Sequence, residues 1–113
     1  MEFPVELTSQ LKAGDNVLKF LPLDKGWVAL TESRILYSAY VLSDSQVAVR
    51  EAGNLPLSKI SSMAVREIST GGCMGKKKTV LALNLQGAIY NVVIGNNVAS
   101  ARVFVSEFNS RTD

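Results

Sequence analysis

The segment Thr70-Gly-Gly-Cys-Met-Gly-Lys-Lys-Lys-Thr79 holds the residues of this chain best equipped for chemistry. Its glycines can gather backbone amides around an anion, Cys73 supplies a thiol, and Lys76, Lys77 and Lys78 supply adjacent cations. The pattern is not a phosphate loop. That loop needs four residues between its glycines, whereas three separate Gly71 from Gly75 and two separate Gly72 from Gly75. Lys77 stands where a Ser or Thr must hold magnesium, and the residues after Lys78 alternate like a strand instead of opening a helix. The segment is therefore read as a flexible hairpin loop with solvated lysines that discourage aggregation. Contact with an anionic surface through Gly72, Gly75, Lys76, Lys77 and Lys78 is the first alternative, and a defined anion pocket the second. The lysines would lower the Cys73 thiol pKa, but no resolving thiol or base accompanies it, so no reactive role is expected.

The chain contains no histidine, which removes Ser-His-Asp, Cys-His and histidine-metal arrangements together. Asp15, Asp24, Glu32 and Asp44 fall at predicted turns, where a solvated carboxylate is the default. No catalytic residue, metal site or cofactor is expected. The net charge of +2 is too small to imply nucleic acid. Cys73 is the single cysteine, so an internal disulfide is impossible, in keeping with a reducing compartment. Glu2, Pro4 and Glu6 stand where a signal peptide would be basic and then apolar, and no apolar run approaches the roughly 20 residues that span a bilayer. A cytoplasmic location is expected.

Such a chain of 113 residues, with 47% hydrophobic and 19% charged residues, suits one globular domain. Residues 1–13 are an N-terminal extension or a short helix: Pro4 suits a first helical position, Leu7 and Leu11 share a face, and Gly14 suits the exit. Residues 14–95 read as β-meanders. In Asn16–Leu21, Leu18 and Phe20 should share one face, and Val17, Lys19 and Leu21 the other. Pro22 to Gly26 is a turn cluster, and Trp27–Leu30 and Arg34–Leu42 are strands joined by the polar turn Thr31-Glu-Ser-Arg34. Gln46–Glu51 is a fourth strand that Ala52-Gly-Asn54 should end, and Pro56 marks an edge or corner leading into Ser62–Ile68. Thr79–Leu85 and Ala88–Ile94 form the last hairpin, turning at Gln86-Gly87. Residues 96–110 form a helix behind the cap Gly95-Asn-Asn97, with Val98, Ala101, Val105 and Phe108 at helical spacing and Phe104 beside them. The gaps between strands are too short for crossover helices, so the seven strands should be antiparallel.

In three places the chain resembles the pleckstrin-homology-like superfamily, and within it the bacterial pleckstrin-homology-like domains. Leu30-Thr31-x-x-Arg34-Ile-Leu-Tyr37 is similar to that group's Leu-Thr-x-x-Arg turn, and Leu55-Pro-Leu-x-x-Ile60 to its Pro-Leu-x-x-Ile segment. Two closing strands and a helix over 97–110 complete the likeness, which covers roughly residues 14–110. The resemblance implies a seven-stranded antiparallel sandwich or barrel capped by a C-terminal α-helix, a binding role without catalysis, and self-association of the kind bacterial relatives use. The chain departs from the eukaryotic pattern in having no Trp in the terminal helix and Lys25 as the lone basic residue between the first two strands.

The expected role is a binding or assembly module acting through protein–protein contacts at a sheet edge or an edge–helix groove, with a protein partner or a second copy. Peripheral binding to anionic membrane through the Gly71–Lys78 loop is the alternative. Thr31 and Arg34 are read as structural, Thr31 bonding back to the turn and Arg34 pairing with Glu32 or Glu51. Trp27 is read as half-buried core, and Phe104 and Phe108 as the plug of the sheet's open end.

Overall fold

The change from a helical to an alternating pattern at Asp15 marks a real boundary. The structure, a computed structural model, describes residues 4–11, 15–42, 48–70, 76–95 and 97–112. In chain order it contains helix α1 (Val5–Gln10), strands β1 (Val17–Leu23), β2 (Gly26–Thr31), β3 (Arg34–Leu42) and β4 (Ala48–Pro56), a 3-10 turn (Leu57–Lys59), strands β5 (Ser62–Thr70), β6 (Lys76–Leu85) and β7 (Ala88–Val93), and helix α2 (Val98–Thr112). Every strand pair is antiparallel. The seven strands form one sheet ordered β1-β2-β3-β7-β6-β5, curled into a half-barrel, with β4 added beside β3.

β3 is the hub. It pairs with β4 over its whole length, from Arg34↔Pro56 to Leu42↔Ala48. Since a strand has two edges, β2 and β7 must share the other one in succession. β2 takes Ile35 to Ser38, and β7 takes Val41 and Leu42.

The sheet is covered on both faces around β2 and β3. The concave face carries the main core: Leu21, Val28, Leu30, Ile35, Leu81, Leu83, Ile94, Phe104 and Phe108 are among its buried members. The convex face carries a smaller cluster of Leu7, Trp27, Ala29 and Leu36, flanked by Leu11, Val17 and Phe20. This double cover explains why Trp27 to Thr31 and Ile35 to Ala39 are buried without alternation. Trp27 is fully buried, 3% exposed, not half-buried as expected, because α1 lies over it through Leu7.

Three expectations change in detail. Leu18 and Leu21 face the main core while Val17 and Phe20 face the convex cluster. A bulge between Val17 and Lys19 sets two residues of β1 against one step of β2 and so shifts the alternation. β4 does not end at Ala52-Gly-Asn54; it runs on to Pro56, and Gly53 pairs with Tyr37. α1 stops at Gln10, with Leu11 already extended, while Gly14 lies outside the described residues.

α2 packs against β5 and β1, the two ends of the strand path. Ala101, Phe104 and Phe108 form its buried face. The Asn97 carbonyl accepts the N–H of Ala101 at 2.9 Å, the first bond of the helix. The Asn97 side chain donates to the Pro22 carbonyl of β1, so the expected cap residue ties the helix start to the sheet.

Candidate functional site

Two features outside the core could meet a partner: a cleft at one end of the sheet and the free edge of β4. The cleft encloses about 320 Å³ and is lined by Asp24, Lys25, Tyr40, Ala48, Lys78, Val93 and Gly95. Tight packing of the β1–β2 turn shapes it. Gly26, at φ +144°, lies so close to β3 that a Cβ there would strike the Ser38 carbonyl oxygen. Gly95, at φ +67°, lies against the Asp24 carboxylate in the same way. The Lys25 ammonium lies 6.0 Å from the Tyr40 ring centroid and the Arg50 guanidinium 5.7 Å from it. Arg50 Nη1 donates to the Lys25 carbonyl at 3.1 Å, and Nη2 to Ser38 Oγ at 3.3 Å. Lys25, Arg50 and exposed Lys78 thus bring cations to this end of the sheet from three different strands or turns.

Lys76, Lys77 and Lys78 belong to β6 and not to a loop: their backbones pair with Thr70, Ser69 and Ile68. Gly72 and Gly75 lie outside the described residues. Of this group, Lys78 is the residue brought to the cleft. Lys25, which also lines the cleft, was legible only as the lone basic residue of its turn, and Arg50 carried no motif.

The Thr31-Glu-Ser-Arg34 turn closes on itself. Thr31 Oγ1 accepts the N–H of Arg34 at 3.0 Å and of Ser33 at 3.3 Å, and donates to the Arg34 carbonyl at 3.1 Å. Arg34 pairs with neither Glu32 nor Glu51. Its Nη2 meets Asp15 Oδ2 at 2.5 Å and donates to the Gln10 carbonyl at 3.1 Å. Glu32 accepts from Asn16, and Glu51 stands on β4 opposite Ala39 of β3. The pairing was not legible because it depends on where Gln10 and Asp15 come to lie against the turn, which local spacing does not fix.

On the concave side of β4, burial raises the Tyr37 phenol pKa above its ordinary value, and the Glu51 carboxylate and Tyr90 add to the rise. β4 itself is mostly exposed, with Val49, Arg50, Glu51, Ala52, Asn54 and Pro56 all open to solvent. No protein-family model matches this chain, and no curated protein or solved structure does.

Proposed function

We propose that this chain is a PH-like, non-enzymatic binding or assembly module that acts through protein–protein contacts at an open sheet edge. The observation that carries the reading is β4, a nine-residue strand paired on one side, with β3. An unpaired strand edge offers backbone donors and acceptors to an added strand, which supplies affinity, while alternate side chains supply specificity. The motifs Leu30-Thr-x-x-Arg34 and Leu55-Pro-Leu-x-x-Ile60 support the PH-like assignment, as do seven antiparallel strands followed by a helix. Amide hydrogen exchange at low and high protein concentration tests it. Outward-facing amides of one edge strand should slow as concentration rises. Equal, fast exchange at the outer edges of β1, β4 and β5 at every concentration overturns self-pairing.

The cleft favours a second reading, peripheral binding to anionic membrane. Lys25, Lys78 and Arg50 cluster near Tyr40 at one end of the sheet, next to the backbones of Lys76 and Lys77. Attraction of about 1 kcal/mol for each such cation gives weak attachment, which ranks it second. Co-sedimentation with vesicles decides it: binding must require anionic lipid, fade with salt and fall in Lys25→Ala and Lys78→Ala.

A further inference from the structure

We infer that β4 pairs with β4 of a second copy, antiparallel about a two-fold axis at Ala52, which joins two half-barrels into one continuous sheet. The inference rests on the edge-binding reading above and commits it to one edge, one partner and one register.

The edge follows from what covers the others. α2 packs against β1 and β5, and the Asn97 side chain occupies the Pro22 carbonyl on β1. β5 also presents exposed Arg66 and Glu67, charges of the kind that guard an edge. β4 also carries exposed charges, Arg50 and Glu51, but the Arg50 guanidinium is turned back over β3 to Ser38, Tyr40 and the Lys25 carbonyl and so does not stand off the free edge. Pro56, the residue that cannot donate, is the last of the strand.

The register follows from the β3 ladder. Leu57 N–H donates to the Ser33 carbonyl at 3.0 Å, one step beyond the Arg34↔Pro56 pair. Arg34↔Pro56 is therefore a non-bonded pair, and bonded pairs alternate with it: Ile35↔Leu55, Tyr37↔Gly53, Ala39↔Glu51 and Val41↔Val49. Val49, Glu51, Gly53 and Leu55 spend their backbone groups on β3. Ala48, Arg50, Ala52 and Asn54 turn theirs outward, and Pro56 turns a carbonyl outward at no loss to the ladder.

A two-fold axis perpendicular to a continuous sheet keeps each side chain on its own face, so the axis must pass through a residue position. At Arg50 it would set Arg50 against Arg50, and at Glu51 it would set Glu51 against Glu51; like charges directly opposite repel. At Gly53 it leaves the Ala48 N–H unmatched and sets Glu51 against Leu55. At Ala52 every outward N–H finds an outward carbonyl: Ala48 with Pro56, Arg50 with Asn54, and Ala52 with its own copy. Val49, 48% exposed, then lies opposite Leu55 of the second copy, and Leu55 already packs on the main core. Glu51 lies opposite Gly53, where no side chain opposes it. The one unfavourable feature is the diagonal that places the two Glu51 residues on the order of 7–8 Å apart, backbone to backbone.

Cysteine cross-linking of the full chain in a Cys73→Ser background reads the register. In a bonded antiparallel pair the Cα atoms stand about 5.5 Å apart, within disulfide reach. Ala52→Cys should therefore cross-link to itself under mild oxidation, whereas Ala48→Cys, roughly 27 Å from its own copy, should not. Light scattering should show a mass approaching twice the chain's 12.2 kDa as concentration rises. Ala52→Pro, which removes an outward N–H and no β3 bond, should hold the monomer mass with a cooperative melt, and Glu51→Gln should lower the dimer dissociation constant several-fold. Cross-linking through Ala48→Cys but not Ala52→Cys overturns the register. Concentration-dependent protection confined to β1 or β5 overturns the choice of β4 and leaves the edge-binding reading standing. A strict monomer with no protected edge overturns both.

Discussion

Arg34 and Tyr37 sit on one strand, three residues apart, and make opposite uses of a half-sheltered polar group. Arg34 and Asp15 are 14% and 16% exposed, so each charge is largely out of water and relies on the other. Arg34→Ala should cost about 1.5–3 kcal/mol in urea unfolding, the usual range for bonds to charged groups. Asp15→Ala should cost less when Arg34 is already gone. If the two losses simply add, the pair is not coupled and its role as a tether fails. Tyr37 stores a pH dependence instead. Its phenol ionises in the unfolded chain near pH 10, whereas burial first, then Glu51 and Tyr90, raises the folded value. Between the two values the unfolded state binds fewer protons, so stability present below about pH 10 should be lost as pH rises through the folded value. Melting temperatures from pH 8 to 12 should show this alkaline fall, and Tyr37→Phe should flatten it.

At the scale of elements, the two helices carry different loads. α2 spans the ends of the strand path, and Phe104 and Phe108 are 0% and 1% exposed against β-sheet side chains. Phe104→Ala and Phe108→Ala should each cost about 3–5 kcal/mol. Unchanged melting temperatures in both would mean that the helix does not plug the sheet. This element was legible because apolar residues at helical spacing need a surface to cover, and seven short strands supply one. β2, β3, β6 and β7 were legible to within a few residues for the same reason of periodicity. β1 was not, because a bulge changes which residues share a face without changing composition. The end of β4 was not legible, because Ala52-Gly-Asn54 has the composition of a stop. Gly53 instead faces the Tyr37 phenol, whose oxygen would lie 3.3 Å from a Cβ, so a small residue suits the ladder there. The cleft escaped the sequence almost entirely. Lys25, Tyr40, Lys78 and Gly95 come from separate segments, and only the curl of the sheet brings them together.

At the scale of the molecule, one sheet separates two apolar clusters, so its faces can be perturbed independently. α1 is only six residues long, below the length at which a helix holds itself in water. Its formation must depend on burying Leu7, which is 0% exposed, against Trp27, Ala29 and Leu36. Trp27 is the single tryptophan, so its fluorescence reports the convex cluster alone. Leu7→Ala should cost about 2–5 kcal/mol if the cavity stays open, and less if α1 peels away and solvates the face. So short a helix should come away once the Leu7 anchor is lost, so water reaches Trp27 and native emission should shift to the red well below the melting temperature. Phe104→Ala, on the other side of the sheet, should lower the melting temperature while Trp27 emission stays blue until unfolding. If Phe104→Ala reddens native emission as much as Leu7→Ala does, the two clusters are one cooperative core. If Leu7→Ala leaves emission blue, α1 stays docked without the Leu7 side chain, and Leu7 is not the anchor that holds it on the convex face.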